Sequence, residues 1–116
     1  MENNGKKTLC PCMDPCPMTY AMRIIGGKWK IPILCALKLD GSIRYNALKR
    51  KIKGITNTML ASSLKELEQD GLVKREEFLE VPVRVEYSLT EKCDLLFPVL
   101  EAINRWSREM LQERKP

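Results

Sequence analysis

Histidine is absent from the chain. Its absence removes every Ser-His-Asp and Cys-His catalytic arrangement and every zinc or haem site that needs a histidine ligand. Long apolar runs are also missing. The longest, past Pro32, is Ile33-Leu34-Cys35-Ala36-Leu37, far short of the ~20 residues that span a bilayer. No apolar segment follows Met1-Glu2-Asn3-Asn4-Gly5-Lys6-Lys7, so the N-terminus does not read as a signal peptide. A cytoplasmic protein without membrane contact is the expectation. Acidic residues are missing from Gly41 through Lys65, where Arg44, Lys49, Arg50, Lys51, Lys53 and Lys65 all fall. Electrostatics alone draws a polyanion to such a stretch, although a solvated basic face is the plainer reading of a lone basic run.

The chain has 116 residues, 44% of them hydrophobic and 30% charged. That is one globular domain, long enough to bury a core without disulfides. The net charge of +5 is uneven: +3 over residues 1–40, +5 over 41–75 and −3 over 76–116. Residues 1–15 hold polar residues, cysteines and two prolines without periodicity and read as a flexible tail. Residues 16–116 read as the folded domain.

From Pro17, the spacing of Met18, Ala21, Met22 and Ile25 predicts a helix ended by Gly26-Gly27. A second helix is expected from Trp29 to Leu39, with Pro32 in its first turn. Ile43-Arg44-Tyr45 fits a minimal strand, and Asn46 fits the N-cap of a short third helix through Ile52. Thr56 or Asn57 can cap a fourth helix reaching Asp70, with Gly71 as its stop. Leu60, Leu64 and Leu67 form a narrow stripe on it, opposite Thr58, Ser62, Lys65 and Gln69, with Ala61 at the margin. Two strands follow, Leu72 to Phe78 and Arg84 to Leu89, joined by a tip containing Pro82. Thr90 is expected to cap a last helix with a heptad-type seam of Leu96, Val99, Ile103, Trp106 and Met110.

Two short helices flanking a turn with Gly54, then a hairpin, are the parts of a winged helix-turn-helix: a mainly α fold with a small β wing. The major groove of DNA admits one α-helix. Asn57, Thr58, Ala61, Ser62 and Lys65 are the candidates to meet the groove, and Arg44, Lys49, Arg50 and Lys51 to meet phosphates. Arg84, beside the wing tip, is a candidate for the minor groove or a phosphate. Lys28 and Lys30 could meet phosphate or be solvated. Trp29 and Trp106 fall on apolar helical stripes and read as packing residues.

The blocks Cys16-Pro17, Gly26-Gly27-Lys28-Trp29, Arg44-Tyr45-Asn46-Ala47-Leu48, Leu64-Lys65-Glu66-Leu67-Glu68, Asp70-Gly71-Leu72-Val73 and Arg84-Val85-Glu86-Tyr87-Ser88-Leu89-Thr90-Glu91 occur in this order. Together they resemble the HxlR-type, MarR-like winged helix-turn-helix regulators of bacteria and archaea. The resemblance implies a homodimeric regulator of double-stranded DNA. It implies that the first and last helices form the dimer interface and that the helix after Thr56 is the recognition helix. Some members sense oxidants or small electrophiles through the cysteine before the proline, here Cys16. The chain departs from the pattern by the extra Cys10 and Cys12, and by Cys93 where glycine is usual.

Cys16 opens a helix, where the dipole favours thiolate, which suits a reactive thiol. Cys10, Cys12 and Cys16 are spaced C-x-C-x₃-C, one ligand short of a structural zinc set. Cys35, between Leu34 and Ala36, reads as a core residue. Cys93 fits either core or surface. The competing readings are a thiol- or metal-binding protein built on Cys10, Cys12 and Cys16, and a winged helix that contacts only proteins. The expectation is a regulator without enzymatic activity or cofactor.

Overall fold

The computed structural model describes residues 16–113. The helices are α1 (Pro17–Ile25), α2 (Lys30–Asp40), α3 (Tyr45–Lys51), α4 (Asn57–Gln69) and α5 (Leu96–Glu113). The strands are β1 (Ile43–Arg44), β2 (Val73–Phe78) and β3 (Arg84–Leu89), and a 3-10 turn, Glu91–Asp94, precedes α5. The sheet is antiparallel in the order β1-β3-β2. Ile43 lies opposite Tyr87, and Val73 opposite Leu89.

The core follows from helical spacing. Ile33, Leu34 and Leu37 of α2, Leu48 of α3 and Leu60, Leu64 and Leu67 of α4 are all buried. Each such side chain contributes roughly 1.5–3 kcal/mol through its removal from water. Helix α2 is thus the floor on which α3 and α4 sit. The α3–α4 turn passes through Gly54 at φ +85°, which a side chain rarely tolerates. Gly26 caps the C-terminus of α1, and only glycine fits there because a Cβ would meet the Met22 carbonyl oxygen at 2.2 Å.

The structure revises several expectations. Helix α3 begins at Tyr45 with Arg44 as its N-cap, not after Asn46, and Trp29 is the N-cap of α2 rather than its first residue. Thr90 precedes the 3-10 turn instead of capping α5, because its hydroxyl donates to the Gly71 carbonyl at 2.5 Å. Pro98 falls in the first turn of α5, where proline is tolerated. Cys35 is exposed rather than buried, because it faces the groove between α2 and α5. On α1, Met18 and Met22 are exposed, and the buried residues are Ile24 and Ile25. The expected tail over residues 1–15, with Cys10 and Cys12, lies outside the described residues. Among the described residues, no helix is long and apolar enough to cross a membrane.

Candidate nucleic-acid interface

Helix α4 is fixed at its start by Thr56, whose Oγ1 accepts a hydrogen bond from the Met59 N–H at 3.1 Å. Its leucines face the core, and Asn57, Thr58, Ala61, Ser62 and Lys65 are exposed. The helix therefore offers one face of small polar groups and a lysine, anchored from the opposite side. A second polar contact holds its first residue. The Tyr45 hydroxyl donates to the Asn57 carbonyl at 3.1 Å and lies 3.4 Å from Asn57 Oδ1. Burial and the neighbouring Tyr87 push the Tyr45 hydroxyl pKa up, which keeps the donor proton in place.

The cations differ in availability. Arg44 and Arg50 are exposed and line a shallow groove between α3 and β3. Lys49 is half-buried and Lys65 is exposed. Among the described residues none of these four has an ion-pair partner. Lys51 does, with its Nζ 2.6 Å from Asp40. Arg84 is not the free cation that its place beside the wing tip suggested. Its guanidinium reaches Glu80 at 2.8 Å and Glu86 at 2.5 Å, and lies over the Phe78 ring at 3.9 Å. The hydrogen bond to Glu80 leads in raising its pKa further. Glu86 also accepts a hydrogen bond from the Ser42 hydroxyl at 2.7 Å, the leading cause of its lowered pKa, ahead of Arg84. Arg84 therefore organises the base of the wing, and its charge is already matched.

Lys30, which the sequence left between phosphate contact and solvent, is buried, with its Nζ 2.8 Å from Glu66 of α4. Lys28 is exposed beside the Trp29 ring. Sequence reasoning missed the roles of Tyr45 and Lys30, since both depend on partners across the helix-turn-helix. The helix expected from Trp29 already placed Lys30 near a helix start, but nothing local in the sequence named Glu66 as its partner.

Cys16 is the N-cap of α1, as its place at a helix start suggested, and its side chain is buried. Its sulfur makes no cap hydrogen bond as it stands, yet the Thr19 N–H, the Thr19 hydroxyl and the Met18 N–H face it and lower its pKa. Cys93 is buried, and its thiol donates to the Leu72 carbonyl at 3.3 Å. Burial raises the pKa of Cys93 and, in the α2–α5 groove, of Cys35. Among the described residues, no cluster of three His, Cys, Asp or Glu side chains is placed to hold a metal.

Comparison with known proteins agrees with this geometry. An HTH-type transcriptional regulator of Halalkalibacterium halodurans is 52% identical over 90 residues, which cover 78% of this chain and 80% of that protein. The redox regulator HypR in its oxidized form superposes with a TM-score of 0.74 at 40% identity, over 81% of this chain and 96% of that one. The reduced form of the transcriptional regulator YodB from B. subtilis gives a TM-score of 0.75 at 36% identity, over 86% and 98%. Residues 24–115 match the HxlR-like helix-turn-helix family. With the leucine-anchored α4 and its wing, this match makes the chain a member of that family and a transcriptional regulator of the HxlR/MarR type.

Proposed function

We propose that the protein acts as a homodimer on double-stranded DNA in the cytoplasm, with α4 in the major groove, and that Cys16 makes binding responsive to oxidants or small electrophiles. The observation that carries the DNA reading is the face of α4. Thr58, Ser62 and Lys65 project from a helix whose other side is locked by three leucines, inside a stretch free of acids. Asn57, Thr58, Ala61 and Ser62 suit base edges, while Arg44, Lys49, Arg50 and Lys65 suit phosphates. Lys51 joins the phosphate set when Asp40 yields it. Arg84 supports the wing that contacts the flanking DNA. No residue is assigned a catalytic role.

The dimer reading rests on unpartnered apolar surface. Helix α1 exposes Met18, Tyr20 and Met22, and α5 exposes Val99, Ile103, Trp106 and Leu111. Apolar strips on both terminal helices are a large surface to leave in water on a chain of this size. Two recognition helices about one DNA turn apart, roughly 34–36 Å, then meet successive half-sites. The thiol reading rests on the lowered pKa of Cys16 at the start of α1, next to that strip. The likeness to HypR, a redox regulator, supports it.

The test is selection from a randomised duplex library at fixed salt, followed by titration of the enriched duplex against a scrambled one. Enrichment of a two-fold symmetric sequence is the expected outcome. Equal affinity for both duplexes overturns the reading.

A further inference from the structure

Apolar contacts are non-directional, so a stripe of leucines resists lifting of a helix far better than rotation about its own axis. Leu60, Leu64 and Leu67 lie within about 60° of one another on the α4 wheel, a narrow keel. Something else must set the roll of α4, and with it the direction in which Thr58 and Ser62 point.

Two polar contacts stand where such restraints are needed. Tyr45, the first residue of α3, holds Asn57 at the start of α4. Lys30, the first residue of α2, holds Glu66 near its end at 2.8 Å. Asn57 lies about 55° to one side of the centre of the leucine keel and Glu66 about 125° to the other. Nine residues separate them, or about 13.5 Å along the axis. The restraints therefore grip opposite flanks at opposite ends, and turning α4 either way pulls against one of them. Each has a rigid base. The Tyr45 ring packs 6.5 Å from the Tyr87 ring of β3. Lys30 is the one buried charged residue among the described residues, so its stem is enclosed and only its tip reaches Glu66.

We infer that Tyr45 and Lys30 are positioning residues that fix the roll of the recognition helix and thereby set the sequence specificity of DNA binding. A roll of about 20° at a radius of 5–6 Å moves side-chain tips by about 2 Å. Hydrogen bonds to base edges hold only within a few tenths of an ångström of 2.7–3.2 Å, while phosphate contacts to flexible cations tolerate such a shift. Loss of a restraint therefore lowers discrimination between sequences more than affinity for DNA in general. The inference rests on the reading that α4 enters the major groove.

The experiment uses Lys30→Met, Tyr45→Phe and their combination in the full chain. Methionine fills the lysine stem's space, and the Glu66 carboxylate left behind is half exposed and stays hydrated, so no unpaired charge is buried. Phenylalanine removes only the hydroxyl. For each protein, affinity is measured at one salt concentration for the duplex that wild type enriches from a random library and for a scrambled duplex of equal composition. Thermal melting is recorded alongside. The expected result is a specificity ratio about fivefold or more below wild type in each single variant, the scale of one base contact. The scrambled duplex binds as before, with the same salt dependence, and the melting temperature of Lys30→Met is retained. Because either loss already frees the roll, the double variant falls by less than the product of the two. An unchanged ratio, or a parallel loss on both duplexes, overturns the inference while leaving the DNA reading intact. A wild type that itself shows no preference overturns both.

Discussion

The ammonium of Lys51 lies 2.6 Å from the Asp40 carboxylate, tying the last turn of α3 to the last residue of α2. Both side chains are partly exposed, so the pair contributes little to stability, about 0–1 kcal/mol. Its larger effect is on charge, since it lowers the basicity of the stretch proposed to face DNA. Asp40→Asn is therefore expected to raise affinity for any duplex by about two- to fivefold at low salt. The gain fades as salt rises. Fluorescence anisotropy with a scrambled duplex at several salt concentrations checks both points.

Arg84 and Arg50 both lie beside the α3–β3 groove, yet only Arg84 is paired with carboxylates. Arg50→Ala is expected to flatten the dependence of log affinity on log salt by close to one phosphate contact. Arg84→Ala is expected to leave that slope nearly unchanged and to lower the melting temperature, because Glu86 and Phe78 lose the group they pack around. The reverse pattern in the two slopes counts against a structural role for Arg84.

Leu60 is fully buried in the keel of α4. Leu60→Ala is expected to destabilise the fold by about 2–5 kcal/mol, read from urea unfolding, through lost burial and an unfilled cavity. Thr58→Ala, on the exposed face, is expected to leave unfolding within about 0.5 kcal/mol of wild type. Comparable losses in the two variants contradict the assignment of the two faces.

The elements that could be read from sequence are those whose signal is local. Leu60, Leu64 and Leu67 announce α4 by spacing, the pair Thr56-Asn57 announces its start, and the alternation around Val85 and Tyr87 announces β3. The exposed face of α4 follows from the same wheel. What could not be read depends on partners distant in the chain. Cys35 has apolar neighbours in sequence, but its exposure is decided by where α5 crosses α2. The Thr90 hydroxyl bonds Gly71, nineteen residues away, which no capping rule foresees. Arg84 and Lys30 are unremarkable cations until the hairpin brings Glu80 to one and the helix-turn-helix brings Glu66 to the other.

Ile103 and Trp106 sit on the exposed apolar strip of α5, Trp106 with 61% of its surface open to solvent. A charge placed on this strip is tolerated by the single chain and excluded from an apolar dimer interface. Ile103→Glu is expected to give a folded species of monomer mass in sedimentation velocity, with weaker binding to a two-half-site duplex. An unchanged dimer removes α5 from the interface.

Cys16 combines a lowered pKa with a buried side chain, and the two properties affect its chemistry in opposite ways. The thiolate is the reactive form, so the pH at which alkylation reaches half its maximum reads the pKa, while the maximal rate reads access. The Thr19 N–H and hydroxyl favour the charged form, so the Cys16 midpoint is expected below those of Cys35 and Cys93, whose pKa values burial raises. The same bias links to stability. A thiol pKa depressed on folding stabilises the fold above the unfolded thiol pKa, and that contribution is lost as pH falls through the folded value. The plateau is ordered differently. Cys35 is exposed, and a higher-pKa thiolate is intrinsically more nucleophilic, so at high pH Cys35 is expected to react faster than Cys16. Cys93, enclosed and bonded to the Leu72 carbonyl, is expected to be slowest throughout. Timed iodoacetamide labelling of the native protein between about pH 6 and 10, with peptide mass spectrometry, gives all three curves. Near neutral pH the lowered pKa favours Cys16 over Cys35 and Cys93, the bias that a selective thiol signal at the start of α1 requires. A Cys16 midpoint at or above that of Cys35 removes this selectivity. Cys16→Ser is then expected to respond to mild oxidant in the same way as wild type in the duplex titration.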